Sequence, residues 1–242
     1  MPSLSPRSRR QWRLLATVVI AAAVVVAARW PATTAVGFNF HVTVKRLTLL
    51  EKAVAFVDRD LEMRRLTREI AGYDGTQEQR LFRMYEWVAD NIHPTPPGLP
   101  VIDDHVWHIF VRQYGEGDQR AEALAALASY DGMPAATIPL GKDPRKRLVQ
   151  LTVVTLGDRL VVFDVNNRLV FRKSSGELAA LSDLQADPSI IQRISAGVMV
   201  DGAPYYEYFA RFGEVSPGFV RMEKQRFWSR LKDELIERLG GS

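Results

Sequence analysis

The chain has 242 residues, of which 47% are hydrophobic and 25% charged, the size and composition of one globular domain plus accessory segments, and this excludes wholesale disorder. It contains no cysteine, which excludes disulfides, thiolate metal sites and thiol nucleophiles within it. The net charge of +4 is concentrated at one end: Arg7, Arg9, Arg10, Arg13 and Arg29 lie in the first thirty residues, where no acid occurs, and the remainder carries 27 basic against 28 acidic residues. A nucleic-acid binder carries its basic patch on the folded part, so nucleic acid is not an expected partner.

Residues 1–13 read as a basic tail and 14–30 as a membrane-spanning helix or signal anchor. Leu14 to Ala28 is an unbroken apolar run between Arg13 and Arg29. Fifteen helical residues rise only about 22 Å against a hydrocarbon core of about 30 Å, so spanning requires Trp12 and Trp30 to extend the run and the flanking arginines to snorkel. The upstream arginines place the N-terminus in the cytoplasm by the positive-inside rule. The expected location is therefore the inner membrane, single-pass, with lipid as one partner and the remaining domain exported. The rival reading is a cleaved signal peptide ending near Val26-Ala27-Ala28.

Residues 31–43 read as a linker. Helical spacing of Leu47, Leu50, Val54, Val57, Leu61 and Leu66 predicts a helix over 44–72 ending at Gly72. A second helix is expected over 76–92, with Thr76-Gln77-Glu78-Gln79 as its capping box and Leu81, Met84, Tyr85 and Val88 as its apolar face. Residues 93–100 hold four prolines and must form an extended loop. A third helix over 118–130, rich in alanine and leucine, should be buried on most sides. Thereafter the period becomes two: strands are expected at 135–140, 148–156 and 159–165, the last two joined by Gly157-Asp158, with a short strand at 169–171. Short helices are expected at 178–184 and 188–194, and an amphipathic helix over 217–239. Helices followed by an antiparallel sheet make an α+β domain.

The run Tyr114-Gly115-Glu116-Gly117-Asp118-Gln119-Arg120-Ala121, followed by Leu124, Leu127 and Gly132-Met133-Pro134-Ala135, resembles the nucleophile helix of bacterial transglutaminase-like (papain-like) proteins. Tyr85-Glu86-Trp87-Val88-Ala89-Asp90-Asn91-Ile92 is similar to the element that precedes that helix, and Leu160-Val161-Val162-Phe163-Asp164 to the strand that supplies the third triad residue. The resemblance implies a domain over 44–195, with 196–242 as a C-terminal extension. It places the family's cysteine on Gly117, or on Gln119 in an alternative register, and its histidine on Val149 or Gln150. Only Asp164 fits its role, because glycine and glutamine cannot attack a carbonyl and valine and glutamine cannot shuttle a proton. The resemblance thus implies a catalytically inactive, membrane-anchored domain that binds or scaffolds another envelope protein or a polymer, with envelope or exopolysaccharide assembly as the expected setting.

Gly117, Asp118 and Gln119 are candidate binding residues, because a bare helix N-terminus presents free N–H groups. His105 and His108, three apart beside Asp103 and Asp104, could share a helix face and hold a metal. The plainer expectation is a helix start capped by one of the two aspartates, with no metal and no cofactor. A hydrolase using Asp118, Asp164 and one of these histidines is the alternative enzyme reading. The basic loop 142–147 and the amphipathic helix over 217–239 are candidate surfaces for anions or membrane.

Overall fold

The computed structural model describes residues 6–141 and 149–209. The expected basic loop at 142–147 and amphipathic helix at 217–239 lie outside the described residues.

Helix α1 (Pro6–Ala28) leads into a hairpin of β1 (Pro31–Phe38) and β2 (His41–Thr48), paired antiparallel from Phe38↔His41 to Pro31↔Thr48. Asn39 and Phe40 close it at φ 49° and 66°, the left-handed pair that a two-residue hairpin with the native strand twist requires. The expected linker over 31–43 is thus corrected to a strand pair. Its segments lack an alternating apolar pattern, and its turn carries Phe40 where glycine would have signalled it.

Among the described residues no helix is long and apolar enough to cross a membrane, which corrects the expected spanning helix over 14–30. The helix ends at Ala28, leaving Trp30 outside it, and its unbroken apolar run rises only about 22 Å. The side chains of that run are solvent-facing, Leu14, Val18 and Ile20 at 60, 64 and 63% exposure.

Helix α2 (Leu49–Ala71) starts where Thr48 accepts the Glu51 N–H and Glu51 returns a bond to the Thr48 N–H. That capping box marks the strand-to-helix change, so residues 44–48 belong to β2 and not to the expected helix. The stripe Leu50, Val54, Val57 and Leu61 is exposed, and Phe56, Met63, Thr67 and Ala71 are buried instead. Small residues at 67 and 71 let the C-terminal half approach its neighbours closely, and this orients the helix.

Helix α3 (Gln77–Asn91) carries the expected Thr76–Gln79 capping box and buries Leu81, Met84, Tyr85, Val88 and Ala89. The proline-rich stretch after it is irregular except for β3 (His93–Pro94) and β4 (Ile102–Asp103). Two further segments follow, α4 (Val106–Arg112) and β5 (Tyr114–Gly115). β3 pairs parallel with β5, while β4 extends the hairpin sheet through Gly37 and Phe38. Helix α5 (Gly117–Tyr130) is buried at every position from Gln119 to Ser129, as its alanine-rich sequence predicts.

Strands β6 (Ala135–Leu140), β7 (Val149–Leu156), β8 (Arg159–Asp164) and β9 (Leu169–Val170) form an antiparallel meander in that order. Gly157, at φ 61°, turns β7 into β8. One sheet face, with Val154, Val161 and Phe163, packs into the cluster built by α2, α3, α4 and α5. The other face, with Leu151, Val153 and Val162, is covered by α6 (Leu181–Ala186), α7 (Ser189–Ile194) and a 3-10 turn over Tyr205–Phe209. A small hairpin of β10 (Met199–Val200) and β11 (Ala203–Pro204) leads into that turn. The folded unit therefore continues past residue 195 to Phe209, because Tyr205, Tyr208 and Phe209 seal the second cluster at 0, 3 and 8% exposure.

Candidate functional site at the head of the central helix

The sequence resemblance directs attention to the start of α5. Gly115 enters it in β5, where the backbone passes so near Gln119 that an added Cβ would lie 2.9 Å from Oε1 and 3.1 Å from Cβ of that side chain. Gln119 is 7% exposed. Its Nε2 donates to the Ile102 carbonyl at 2.6 Å, and its Oε1 accepts from Arg112 Nη2 and from the Glu116 N–H, both at 3.1 Å. Arg112 in turn donates to Asp104, to the Tyr114 carbonyl and to the Ile102 carbonyl. Gln119 and Arg112 thus lock the helix head to α4 and β4.

Gly117 opens the helix and is half-buried. Asn166, in the turn after β8, donates from Nδ2 to the Gly117 carbonyl at 2.9 Å. A Cβ at position 117 would meet that same Nδ2 at 3.4 Å, ordinary contact distance. Arg120, one turn further, is 7% exposed and donates to the Ile92 carbonyl and to Asn166 Oδ1 at 2.8 and 3.0 Å. Asp118 is exposed, and its Oδ1 accepts the next N–H of its own helix at 2.9 Å. Of the three candidate binding residues, then, Asp118 alone faces solvent fully, and Gln119 spends its polar atoms on neighbouring backbone and Arg112.

Asp164 ends β8 at 0% exposure. Its carboxylate accepts from the Asn167 N–H (3.0 Å), from Asn167 Nδ2 (2.8 Å) and from the Tyr205 hydroxyl (2.7 Å). Burial pushes its carboxyl above the usual aspartate range, and these hydrogen bonds pull the other way by favouring the ionised form. Tyr205 and Tyr85 are pushed up as well, first by burial and then by the nearby Asp164 charge.

The two candidate histidine positions fall on opposite sides of the sheet. Val149 is buried with Leu151 and Val153 in the second cluster. The Thr152 hydroxyl donates to the Ala121 carbonyl of α5 at 2.9 Å, so by strand alternation Gln150 shares the α5 side. Because β7 runs parallel to α5, Gln150 lies toward the helix head.

His105 is the N-cap of α4: its Nδ1 accepts the Trp107 N–H at 3.1 Å. This replaces the expected aspartate cap, and it requires a neutral acceptor nitrogen. His108 Nδ1 lies 3.2 Å from Asp104, which also holds Arg112 at 2.8 Å. Among the described residues no group of three or more histidines and carboxylates is arranged to hold a metal. Asp118, Asp164 and His108 each have different described partners, so hydrogen bonding does not gather them into one constellation.

Asn166, Arg112 and Tyr205 organise this region and were not legible as site residues. Asn166-Asn167 reads as a turn dipeptide, and nothing in it signals contact with Gly117, 49 positions away. The three described depressions lie elsewhere, one beside Lys173 and Arg193, one along Arg64 and Tyr73, and one between Phe82 and Arg172.

No family model matches this chain, and no curated protein matches it. Two solved structures share part of its course. A candidate protease from Parabacteroides distasonis is 13% identical, with a TM-score of 0.36, over 54% of this chain and 30% of its own. A candidate cysteine protease from Cytophaga hutchinsonii is 12% identical, with a TM-score of 0.39, over 55% of this chain and 48% of its own. The chain therefore spans less than half the length of either. What the molecule's own elements define is a mixed α+β domain in which a buried helix packs on a four-stranded antiparallel sheet.

Proposed function

We propose that this chain is a non-catalytic, transglutaminase-like binding domain that is exported and held near a membrane by its apolar N-terminal helix. The observation that carries the reading is the hydrogen-bond network at the head of α5, where Gly117 occupies the expected nucleophile position. Asn166 bonds to the Gly117 carbonyl at 2.9 Å and to Arg120 at 3.0 Å, while Asp164 is shared between Asn167 and Tyr205. A catalytic carboxylate orients an imidazole and a catalytic helix head faces a reacting atom. Here the corresponding groups cross-link elements of the fold. The absence of cysteine from the sequence supports the same reading. The exposed apolar run of α1 supports a lipid neighbour, and the domain's partner is an envelope protein or polymer.

The test is a turnover assay on the full chain in nonionic detergent, using a fluorescent amine with a glutamine donor and, separately, labelled casein. The expected result is no turnover above the protein-free rate. Turnover that Asp164→Asn or Asp118→Asn abolishes, without loss of folding by circular dichroism, would establish the carboxylate hydrolase instead.

A further inference from the structure

In the hairpin, β2 is an edge strand along its whole length, since the sheet order is β2-β1-β4. Phe38 and His41 flank the two-residue turn and form its hydrogen-bonded pair. Alternation along an antiparallel ladder then directs the backbone N–H and C=O groups of His41, Thr43, Lys45 and Leu47 toward β1. Those of Val42, Val44 and Arg46 point away from the sheet, six hydrogen-bonding groups in a row with no strand beside them among the described residues. Phe40, Val42 and Val44 are 88, 72 and 61% exposed. Edge strands are commonly blunted by proline, bulges, short length or charged residues; β2 has none of the first three, and its charges, Lys45 and Arg46, lie in its second half, beyond Val42 and Val44. The opposite edge differs: β1 begins at Pro31 and β4 covers Gly37 and Phe38.

We propose that β2 is the homodimerisation strand of this protein, pairing antiparallel with β2 of a second copy about a two-fold axis through Val44. The register is self-complementary. Val44 opposes its own copy, Val42 opposes Arg46 of the second chain, and Thr43 opposes Lys45. No two like charges meet directly, although Lys45 and Arg46 are adjacent on the strand. Shifting the axis to Lys45 or Arg46 would set a cation against itself, which costs free energy in a cross-strand pair. An axis at Lys45 would also pair the wrong backbone groups, because those of Lys45 already face β1. The Val44 register engages all six outward groups and joins two hairpins into one continuous sheet. An isologous contact of this kind closes at two chains and does not propagate.

Because the chain has no native cysteine, single cysteines report the register directly. In the full chain in nonionic detergent, Val44→Cys should form a disulfide-linked dimer under mild oxidation. A hydrogen-bonded antiparallel pair sets Cα atoms about 5.5 Å apart, within disulfide reach. Val42→Cys alone and Arg46→Cys alone should remain uncrosslinked, since each residue lies about 14 Å from its own copy. A mixture of those two variants should crosslink. Sedimentation of the unmodified chain should give twice the monomer mass, and Val44→Lys should weaken association at least tenfold with an unchanged melting temperature. A monomer throughout the micromolar range overturns the proposal. So does crosslinking of Val42→Cys alone as efficient as that of Val44→Cys, or a dimer that Val44→Lys leaves intact.

Discussion

Replacing Gly115 by alanine isolates one contact at the head of α5. Gly115 has no positive φ, so alanine carries no backbone strain there, and the cost arises from what its Cβ meets. That Cβ would fall 2.9 Å from Gln119 Oε1 and 3.1 Å from Gln119 Cβ, inside the normal contact limit. Overpacking of this kind costs about 1–3 kcal/mol. Relief requires Gln119 to swing away from Ile102, Arg112 and Glu116, so the expected loss lies near the upper end of that range. Gln119→Ala removes the same three hydrogen bonds, worth about 1 kcal/mol each with the one from Arg112 stronger, for a loss of about 3 kcal/mol. In the double variant the 2.9 Å clash with Oε1 has no target and only the 3.1 Å approach of the two Cβ atoms remains, so the combined loss should fall short of the sum by about 1 kcal/mol, beyond the ordinary scatter of additive pairs. Equilibrium urea unfolding followed by tryptophan fluorescence suits the measurement. Trp87 and Trp107 both pack on Phe110 of the adjoining helix α4. Additivity within about 0.5 kcal/mol would refute the claim that Gln119 is what forbids a side chain at 115.

Asp164 should give a pH signature. Its carboxyl is raised in the fold, so the native state holds more protons than the unfolded chain just above the usual aspartate pKa of 3.8. Its contribution to stability is therefore fully present below that pKa and declines as pH rises toward the folded value, flattening beyond it. Urea midpoints of wild type minus those of Asp164→Asn should show this downward slope; a difference that rises with pH over the same interval refutes it. Thr48→Ala removes the cap of α2 and should cost about 1 kcal/mol, read as a lower unfolding midpoint with an unchanged denaturant slope. Phe40→Gly relieves a bulky residue held at φ 66° and should stabilise the hairpin by about 1 kcal/mol, measured as slower amide exchange across β1 and β2.

Local chemistry was readable where one segment decides its own structure. Thr76 and Gln79 announced the start of α3, the uniform small apolar composition of α5 announced its burial, and Gly157-Asp158 announced the β7–β8 turn. The hairpin at 31–48 was missed because its strands are rich in threonine and alanine and its turn lacks glycine. In α2 the residues whose spacing signals the helix, Leu50, Val54, Val57 and Leu61, are not the ones the fold buries, Phe56, Met63, Thr67 and Ala71. Which stripe is buried depends on neighbours more than a dozen residues away. At the candidate site the positions on α5 and β8 were legible, whereas the partners that commit them, Asn166, Arg112 and Tyr205, arrive through long-range contacts with no local signature.

The bond from Tyr205 to Asp164 also has a meaning in time. β8 is synthesised some forty residues before the turn that completes its cover, so Asp164 waits for its hydroxyl partner, and the sheet face bearing Val162 and Leu151 is covered only by α6 and α7 until Tyr205, Tyr208 and Phe209 emerge. A chain interrupted at about residue 195 would present the complete sheet with a partly open apolar face and a buried-type carboxylate lacking its hydroxyl partner. Such a fragment is a natural substrate for chaperones and proteases, so completion of synthesis itself acts as a checkpoint on the survival of this domain.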